Sequence, residues 1–230
     1  VPCRTACPAD TDIPSYLEAI SHGDYRKAYE INLEDNVFPE ILGRVCSRPC
    51  EDACRHSKDD NGDSVAICFS KRAAGDFTKP NIKLPKYSKN TNKKVAIIGS
   101  GVAGLTSARE LFRYGHKVDI FEKHKTPGGM LNQGIPIFRL PRKIIEREIK
   151  QILSLGINLH LNKNISTFKQ LNALASNYDA VVLAMGTLEA NKINKQFSMC
   201  EQVEDGLDFL LRTNEYNSKT IGDNVVIIGG

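Results

Sequence analysis

No run of apolar residues in this sequence approaches the roughly 20 that a helix needs to span a bilayer, so no membrane span is expected. Strong charge of either sign is missing too: 31 Lys and Arg stand against 27 Asp and Glu, a formal net charge of +4. Nucleic-acid binding shows as a concentrated basic face, and so mild an excess does not argue for one. Histidine is scarce. The five present are scattered, and each reads as structural or exposed rather than as a ligand. Neither a secretory leader nor an initiating methionine is visible at Val1. The other end stops in "NVVIIGG", a strand cut where a glycine turn would begin, so the expectation is a piece of a longer protein. Internal repeats are absent, apart from the return of "VAIIGSG" as "VVIIGG".

What is present can build a core. A hydrophobic content of 41% argues against wholesale disorder, and 230 residues suggest one or two domains. Cysteine is the uneven component. Cys3, Cys7, Cys46, Cys50, Cys54 and Cys68 fall in the first third, and Cys200 stands alone. Seven is an odd number, and disulfides would need an oxidising compartment, whereas the nucleotide-binding pattern downstream suits the cytoplasm.

Residues 1–78 read as helical, with no convincing strand. Asp12 caps a helix that carries Pro14 in its first turn, Gly23 breaks it, Asp24 caps "YRKAYEINLED", and Ser64 caps "VAICFSKRAAGDF". Residues 79–93, lysine-rich and without acid, read as a solvated linker. The pattern then alternates. "KVAIIGSGVAGLTSARELFRYGHKVDIFEK" reads as strand, glycine turn, helix, strand. A helix follows over about Arg142–Leu155, ended by Gly156, then the strand "INLHL", the helix "TFKQLNALASN" and the strand "DAVVLAMGT". Strands alternating with helices predict a parallel sheet covered on both faces. The expected divisions are a dinucleotide-binding Rossmann domain at 94–190, a connecting helix region at 191–222 around "EDGLDFLLRT", and the first strand of a second Rossmann unit at 223–230.

Gly99, Gly101 and Gly104 form G-x-G-x-x-G between an apolar strand and a helix. The first glycine makes the tight turn, the second admits backbone to a pyrophosphate, and the third lets helix pack on strand. The helix N-terminus, from Val102 and Ala103, presents free N–H groups to phosphate. Glu122 closes the second strand about 20 residues on, where a carboxylate can bind ribose hydroxyls. Gly128–Gly129 follow soon after, a second place for backbone to pass a pyrophosphate, and "VVLAMGT" supplies another glycine exit from the sheet. Together these point to FAD, with NAD(P)H left to the second unit.

Cys46, Cys50 and Cys54 are spaced C-x3-C-x3-C, and Cys3 and Cys7 share the x3 spacing. On one helix, three such thiolates would line one face. Pro49 argues against a regular helix and for a looped wrap. Thiolates with few histidines nearby suit iron–sulfur clusters or structural zinc, and spacing leaves both open. A flavin domain next door favours iron–sulfur, because a flavin can split a hydride's two electrons into single steps that a cluster accepts.

"CRTACPADTDIPSYL", "GRVCSRPCEDACR", "VAIC-x2-KRAA", the flavin fingerprint and "GIPIFRLP", in that order over nearly the whole chain, resemble the glutamate synthase small (beta) subunit family. That family includes the N-terminal half of dihydropyrimidine dehydrogenase and related NAD(P)H-dependent iron–sulfur flavoproteins. The resemblance implies an α plus α/β fold, a helical domain with two [4Fe-4S] clusters followed by a Rossmann-like FAD-binding domain into which an NADPH domain is inserted. It implies that Cys3 and Cys54 serve one cluster, whose other two cysteines lie upstream of this sequence, and that Cys7, Cys46 and Cys50 serve the other. The fourth ligand of that second cluster is Gln or Glu in the relatives, and here the position holds Lys71, an ammonium and a poor ligand. Either Cys68, one turn earlier, substitutes, or the site is incomplete or differently ligated; the blander reading of Cys68 is a buried core thiol. Cys200 carries no assignable role.

For the flavin, the resemblance implies contacts from Ser100, Lys123, Met130, Arg139, Ile165, Gly186 and Thr187 beside the glycines and Glu122. The implied activity is electron transfer between NAD(P)H, FAD and [4Fe-4S] clusters, with no catalytic side chain required. The expected partner is a redox subunit or fused domain, such as a glutamate synthase large subunit. Two other readings stand: a colourless Rossmann module with a zinc-stapled head, and a family member with FAD but incomplete clusters. The choice between NADPH and NADH lies beyond Gly230.

Overall fold

The computed structural model describes residues 1–78, 86–187, 202–216 and 221–229. Seven helices make the head: α1 Pro2–Ala6, α2 Ile13–Ser21, α3 Tyr25–Asp35, α4 Pro39–Val45, α5 Pro49–Asp52, α6 Arg55–Lys58 and α7 Ile67–Asp76. Asp12 and Asp24 cap α2 and α3 as expected, accepting from the backbone N–H of Ser15 and Lys27. Ser64 does not cap α7. Its hydroxyl donates to the Glu51 carbonyl, and the first turn of α7 is capped from across the fold, where Glu51 Oε1 accepts from Cys68 N–H at 2.8 Å. A carboxylate brought from another element is invisible to a local capping rule.

The C-x3-C-x3-C run is a wrap, not one helix face. Cys46 ends α4, Arg48 takes a left-handed conformation (φ 66°), Cys50 lies on α5 and Cys54 precedes α6. Pro49 starts a new helix at the position where its missing N–H costs nothing.

The second half is the expected alternation: β1 Lys94–Ile98, α8 Val102–Arg113, β2 Lys117–Phe121, α9 Met130–Gln133, α10 Arg142–Leu153, β3 Asn158–His160, α11 Phe168–Ala175, β4 Ala180–Leu183 and α12 Gly206–Tyr216. All strand pairs are parallel, in the order β3-β2-β1-β4. Strand order reverses between β1 and β4, so the crevice outside their carboxyl ends is the topological switch point where such sheets bind ligands. α11 starts with a capping box, Thr167 with Gln170. Ile144, Ile145, Ile149 and Ile152 of α10 are buried against the sheet, each contributing about 2 kcal/mol of apolar burial.

Head and sheet share one core. Phe38 and Ile41 of the head belong to the same buried cluster as Ile97, Leu105, Ile120 and Ile145. The described part of the linker is tied down as well: Tyr87 N–H donates to Arg113 O, Thr91 N–H to Gly115 O, and the Arg113 guanidinium lies 3.8 Å from the Tyr87 ring centre. The segment is exposed, as a solvated linker would be, but it is not free. Within 221–229, no residue joins the described sheet, and Val226 and Ile227 are 88% and 83% exposed. Cys200 lies outside the described residues.

Candidate cofactor sites

The glycine turn sits at the switch point, and its three glycines have three different surroundings. A Cβ on Gly99, which adopts φ +103°, would stand 2.3 Å from the Ala184 carbonyl oxygen at the exit of β4. A Cβ on Gly104 would stand 1.9 Å from the Gly99 carbonyl oxygen, so the start of α8 presses on the turn itself. A Cβ on Gly101 would meet nothing within 4 Å. Two glycines are therefore required by close packing, and the middle one faces open space beside the α8 N-terminus. That space is the cradle a pyrophosphate needs. Gly128–Gly129 back the same turn: Gly128 N–H donates to Ser100 O at 2.9 Å, and a Cβ on Gly129 would stand 3.0 Å from Gly101 Cα.

Glu122 is at the end of β2 as expected, but it faces inward first. Oε2 accepts from the Ser100 N–H (2.8 Å) and hydroxyl (2.6 Å), and Oε1 accepts from His124 N–H (2.9 Å). Ser100 is thus buried against the acid and fixes it, and one lone pair on Oε1 is left for a ribose hydroxyl. The loop towards Ile165 runs alongside, with Lys163 N–H donating to Glu122 O at 2.7 Å. Gly186 and Thr187 follow Ala184, which meets the Gly99 turn, and are exposed, as are Val102, Ala103, Lys123 and Met130. Arg139 stands apart, exposed on the turn before α10, with no side-chain hydrogen bond or ion pair among the described residues. The backbone cradle and the fixed acid fit a dinucleotide such as FAD.

In the head, six cysteines are free thiols. Cys46, Lys71 and Cys7 all act electrostatically on Cys50, whose thiol burial pushes up to about 11. Burial also raises Cys68, again with Cys46 and Lys71 as charged neighbours. Burial works to raise Cys7, but hydrogen bonds from Thr11 and the backbone, and the Lys71 charge, bring it below the usual thiol range. Backbone N–H groups, Val65's foremost with those of His56 and Ser57, lower Cys54 against the effect of burial. Buried Tyr16 lies in the field of Cys50, Cys68, Cys7 and Cys3 together. No three His, Cys, Asp or Glu side chains among the described residues are placed to hold one metal ion. Thiol donors served by backbone N–H groups and a buried cation fit iron–sulfur clusters.

Sequence reasoning missed the polar hinge between head and sheet. Glu148 of α10 is buried and accepts from the N–H groups of Glu40 (2.9 Å) and Ile41 (3.1 Å) and from the Tyr29 hydroxyl (3.4 Å). Burial pushes its carboxyl up to about 8, against the lowering by these donors and by Arg147 and Arg44. Arg147 pairs with Glu40, and Arg109 of α8 donates to the Leu33 carbonyl. The signal was in the spacing: Glu148 sits on the 145–149–152 apolar stripe, and Arg109 falls four residues after Leu105.

Comparison with known proteins agrees with this division. Residues 93–230 match the family described as pyridine nucleotide-disulphide oxidoreductase. The chain belongs to that family. Residues 1–82 match the domain described as dihydropyrimidine dehydrogenase domain II, 4Fe-4S cluster, which puts the chain in the branch with glutamate synthase small chains and dihydropyrimidine dehydrogenase subunits. It is 36% identical to the beta subunit of an NADPH-Fe(3+) oxidoreductase from Geobacter sulfurreducens, over 100% of this chain and 35% of that one. It is 34% identical to the glutamate synthase [NADPH] small chain of Bacillus subtilis, over 98% of this chain and 48% of that one. The chain thus spans less than half the length of either relative. A solved 2-naphthoyl-CoA reductase shares the fold, with a TM-score of 0.51 and 23% identity over 90% of this chain and 31% of that one.

Proposed function

We propose that this chain is the iron–sulfur and flavin portion of an NAD(P)H-dependent oxidoreductase that passes electrons to or from a partner subunit or fused domain. The observation that carries the reading is the pair of glycine turns joined at the switch point, open at Gly101, on a sheet that shares its core with a cysteine-rich head. FAD supplies the conversion between a two-electron hydride and single electrons, and [4Fe-4S] clusters supply one-electron relay. The protein's own task is placement. Gly101 and the α8 N-terminus receive phosphate, Glu122 holds ribose, Lys123, Met130, Ile165, Gly186 and Thr187 line the mouth, and Arg139 reaches the flavin from the turn before α10.

Cys3 and Cys54 are proposed for one cluster, and Cys7, Cys46 and Cys50 for the other. The names of both relatives carry NADPH, which makes NADPH the first donor to test. Six free thiols suit the reducing cytoplasm. No described helix is long and apolar enough to cross a membrane.

The test is anaerobic iron, sulfide and flavin analysis of the full-length protein, with its visible spectrum. Two clusters and one flavin require about eight irons, about eight sulfides and about one FAD per chain. A colourless protein containing zinc and no flavin overturns the reading.

A further inference from the structure

Lys71 is 6% exposed, and its ammonium reaches only one recorded partner, Asn36 Oδ1 at 3.5 Å. Asn36 in turn donates to Thr11 Oγ1 at 2.7 Å, and Thr11 Oγ1 lies 3.3 Å from Cys7 Sγ. Among the described residues no carboxylate is within ion-pairing distance of Lys71, although the head holds several acids on its surface. An unpaired ammonium buried this deeply is costly unless negative charge surrounds it. The cysteines lie close by: the Asn36–Thr11 chain leads from Lys71 to Cys7, Cys68 Sγ and Cys46 N–H meet the same Leu42 carbonyl, and Cys68 N–H is held by Glu51, the neighbour of Cys50. Cys68 sits one turn before Lys71 on the same buried stripe of α7, with Ile67, Ala74 and Gly75. Its backbone N–H is already taken by Glu51, so its place is fixed, and its Sγ has only the Leu42 carbonyl at 3.5 Å, a weak contact that a metal bond would replace.

We propose that Cys68 is the fourth thiolate of the cluster held by Cys7, Cys46 and Cys50, and that the buried Lys71 ammonium is the counter-charge of that all-cysteine cluster. Four thiolates give a [4Fe-4S] cluster one more negative charge than three thiolates and a neutral ligand. The two unusual residues then explain each other. A cysteine at 68 makes a side-chain ligand at 71 unnecessary, and a cation at 71 offsets the added charge and favours the reduced cluster. Cys3 and Cys54 stay with the other cluster.

The inference rests on the two-cluster reading, and the experiment separates the two. Full-length wild-type protein is analysed anaerobically for iron, sulfide and flavin, and its reduced form by electron paramagnetic resonance with potentiometric titration. If the wild type lacks clusters, the reading itself fails. If it holds both, Cys68→Ala decides the inference: the expected result is loss of one cluster, or its conversion to a three-iron form, with flavin content unchanged. Full iron and an unaltered spectrum in Cys68→Ala overturn it. Cys68→Ser guards against a folding defect, since it keeps the size and an oxygen ligand; a changed cluster signal with flavin retained supports the inference, and an unchanged signal overturns it. Lys71→Met, which removes the charge without supplying the oxygen ligand of the relatives, is expected in the Cys68 background to lower the midpoint of that cluster while leaving the iron count intact. An unchanged midpoint overturns the role given to Lys71.

Discussion

The cysteine head and the glycine-turn sheet hold their proposed cofactors by opposite means. The sheet uses backbone. Gly99 and Gly104 let main chain touch main chain, Gly101 leaves a space, and α8 offers its N–H groups. The head uses side chains carried on short pieces of helix, α1, α5 and α6 among them, each five residues or fewer and broken by turns. Isolated helices of that length are not stable in water, so the wrap depends on tertiary contacts and, on the reading above, on the metal it holds. A backbone site survives most side-chain changes and fails when a Cβ is added; a thiolate site is the reverse.

The largest expected effect tests that contrast. Gly104→Val puts atoms where the Gly99 carbonyl stands, and it should cost roughly 4 kcal/mol and abolish flavin binding. The Cβ of Gly101→Ala meets no protein atom, so its thermal stability without cofactor should stay near wild type while flavin content falls about tenfold. Iron content should persist in Gly101→Ala. If iron leaves with the flavin, the two regions are not separable sites and the comparison breaks.

Next in size is the hinge that joins them. Glu148→Ala leaves the Glu40 and Ile41 N–H groups buried without their acceptor, and the Tyr29 hydroxyl with Gln151 alone, a loss of about 3 kcal/mol in chemical denaturation. Glu148→Gln sharpens the point through pH. The folded carboxyl sits at about 8 against an ordinary value of 4.5, so the folded state holds the proton more tightly than the unfolded one. Its contribution is fully present below the ordinary value and is lost as pH rises through the folded one. The stability difference between wild type and Glu148→Gln should therefore move against the wild type between pH 5 and pH 8.5, roughly the span of those two values. A pH-independent difference would mean that Glu148 is charged throughout and is held by its donors.

How much of this was legible follows the same divide. The strands, the glycine roles and α10 could be read because apolar periodicity and turn chemistry are local. The Asp12 and Asp24 caps are local too. Ser64 failed as a cap because the competing acceptor, Glu51, arrives from a distant turn. Glu148, Arg109 and Arg113 look like surface charges in "RKIIEREIKQIL" and "ARELFR", and only the packing of α3 and α4 against α8 and α10 turns them into buried partners. Lys71 is the same case in the head: a lysine in a polar-looking helix whose contact, Asn36, comes from 35 residues away.

A smaller effect is expected at the back of α8. Arg113 is buried, stacks on Tyr87 and reaches the half-exposed Glu34 at 3.3 Å. Arg113→Ala should cost about 2 kcal/mol, mostly from lost packing and desolvated partners, while Glu34→Ala should cost under about 1 kcal/mol because that end is wet. Equal losses at both positions would move the linker's anchor from the stacked guanidinium to the ion pair.

The smallest expected effect on stability belongs to Arg139, and it asks whether the sheet site also uses a side chain. The residue is exposed and its guanidinium has no recorded partner among the described residues, so Arg139→Ala should leave stability within about 0.5 kcal/mol of wild type. If it pairs with phosphate or the polar edge of the flavin, removing it weakens flavin binding roughly three- to tenfold, an amount near 1 kcal/mol. That weakening should shrink as salt is raised, because the lost interaction is a solvent-facing charge pair. Arg139→Lys keeps the charge and loses the fork, so its flavin affinity should fall between the two. Titration of flavin into the stripped full-length protein at low and high salt reads all three variants. Identical affinities would leave Arg139 an ordinary surface charge and the flavin site one made of backbone and Glu122.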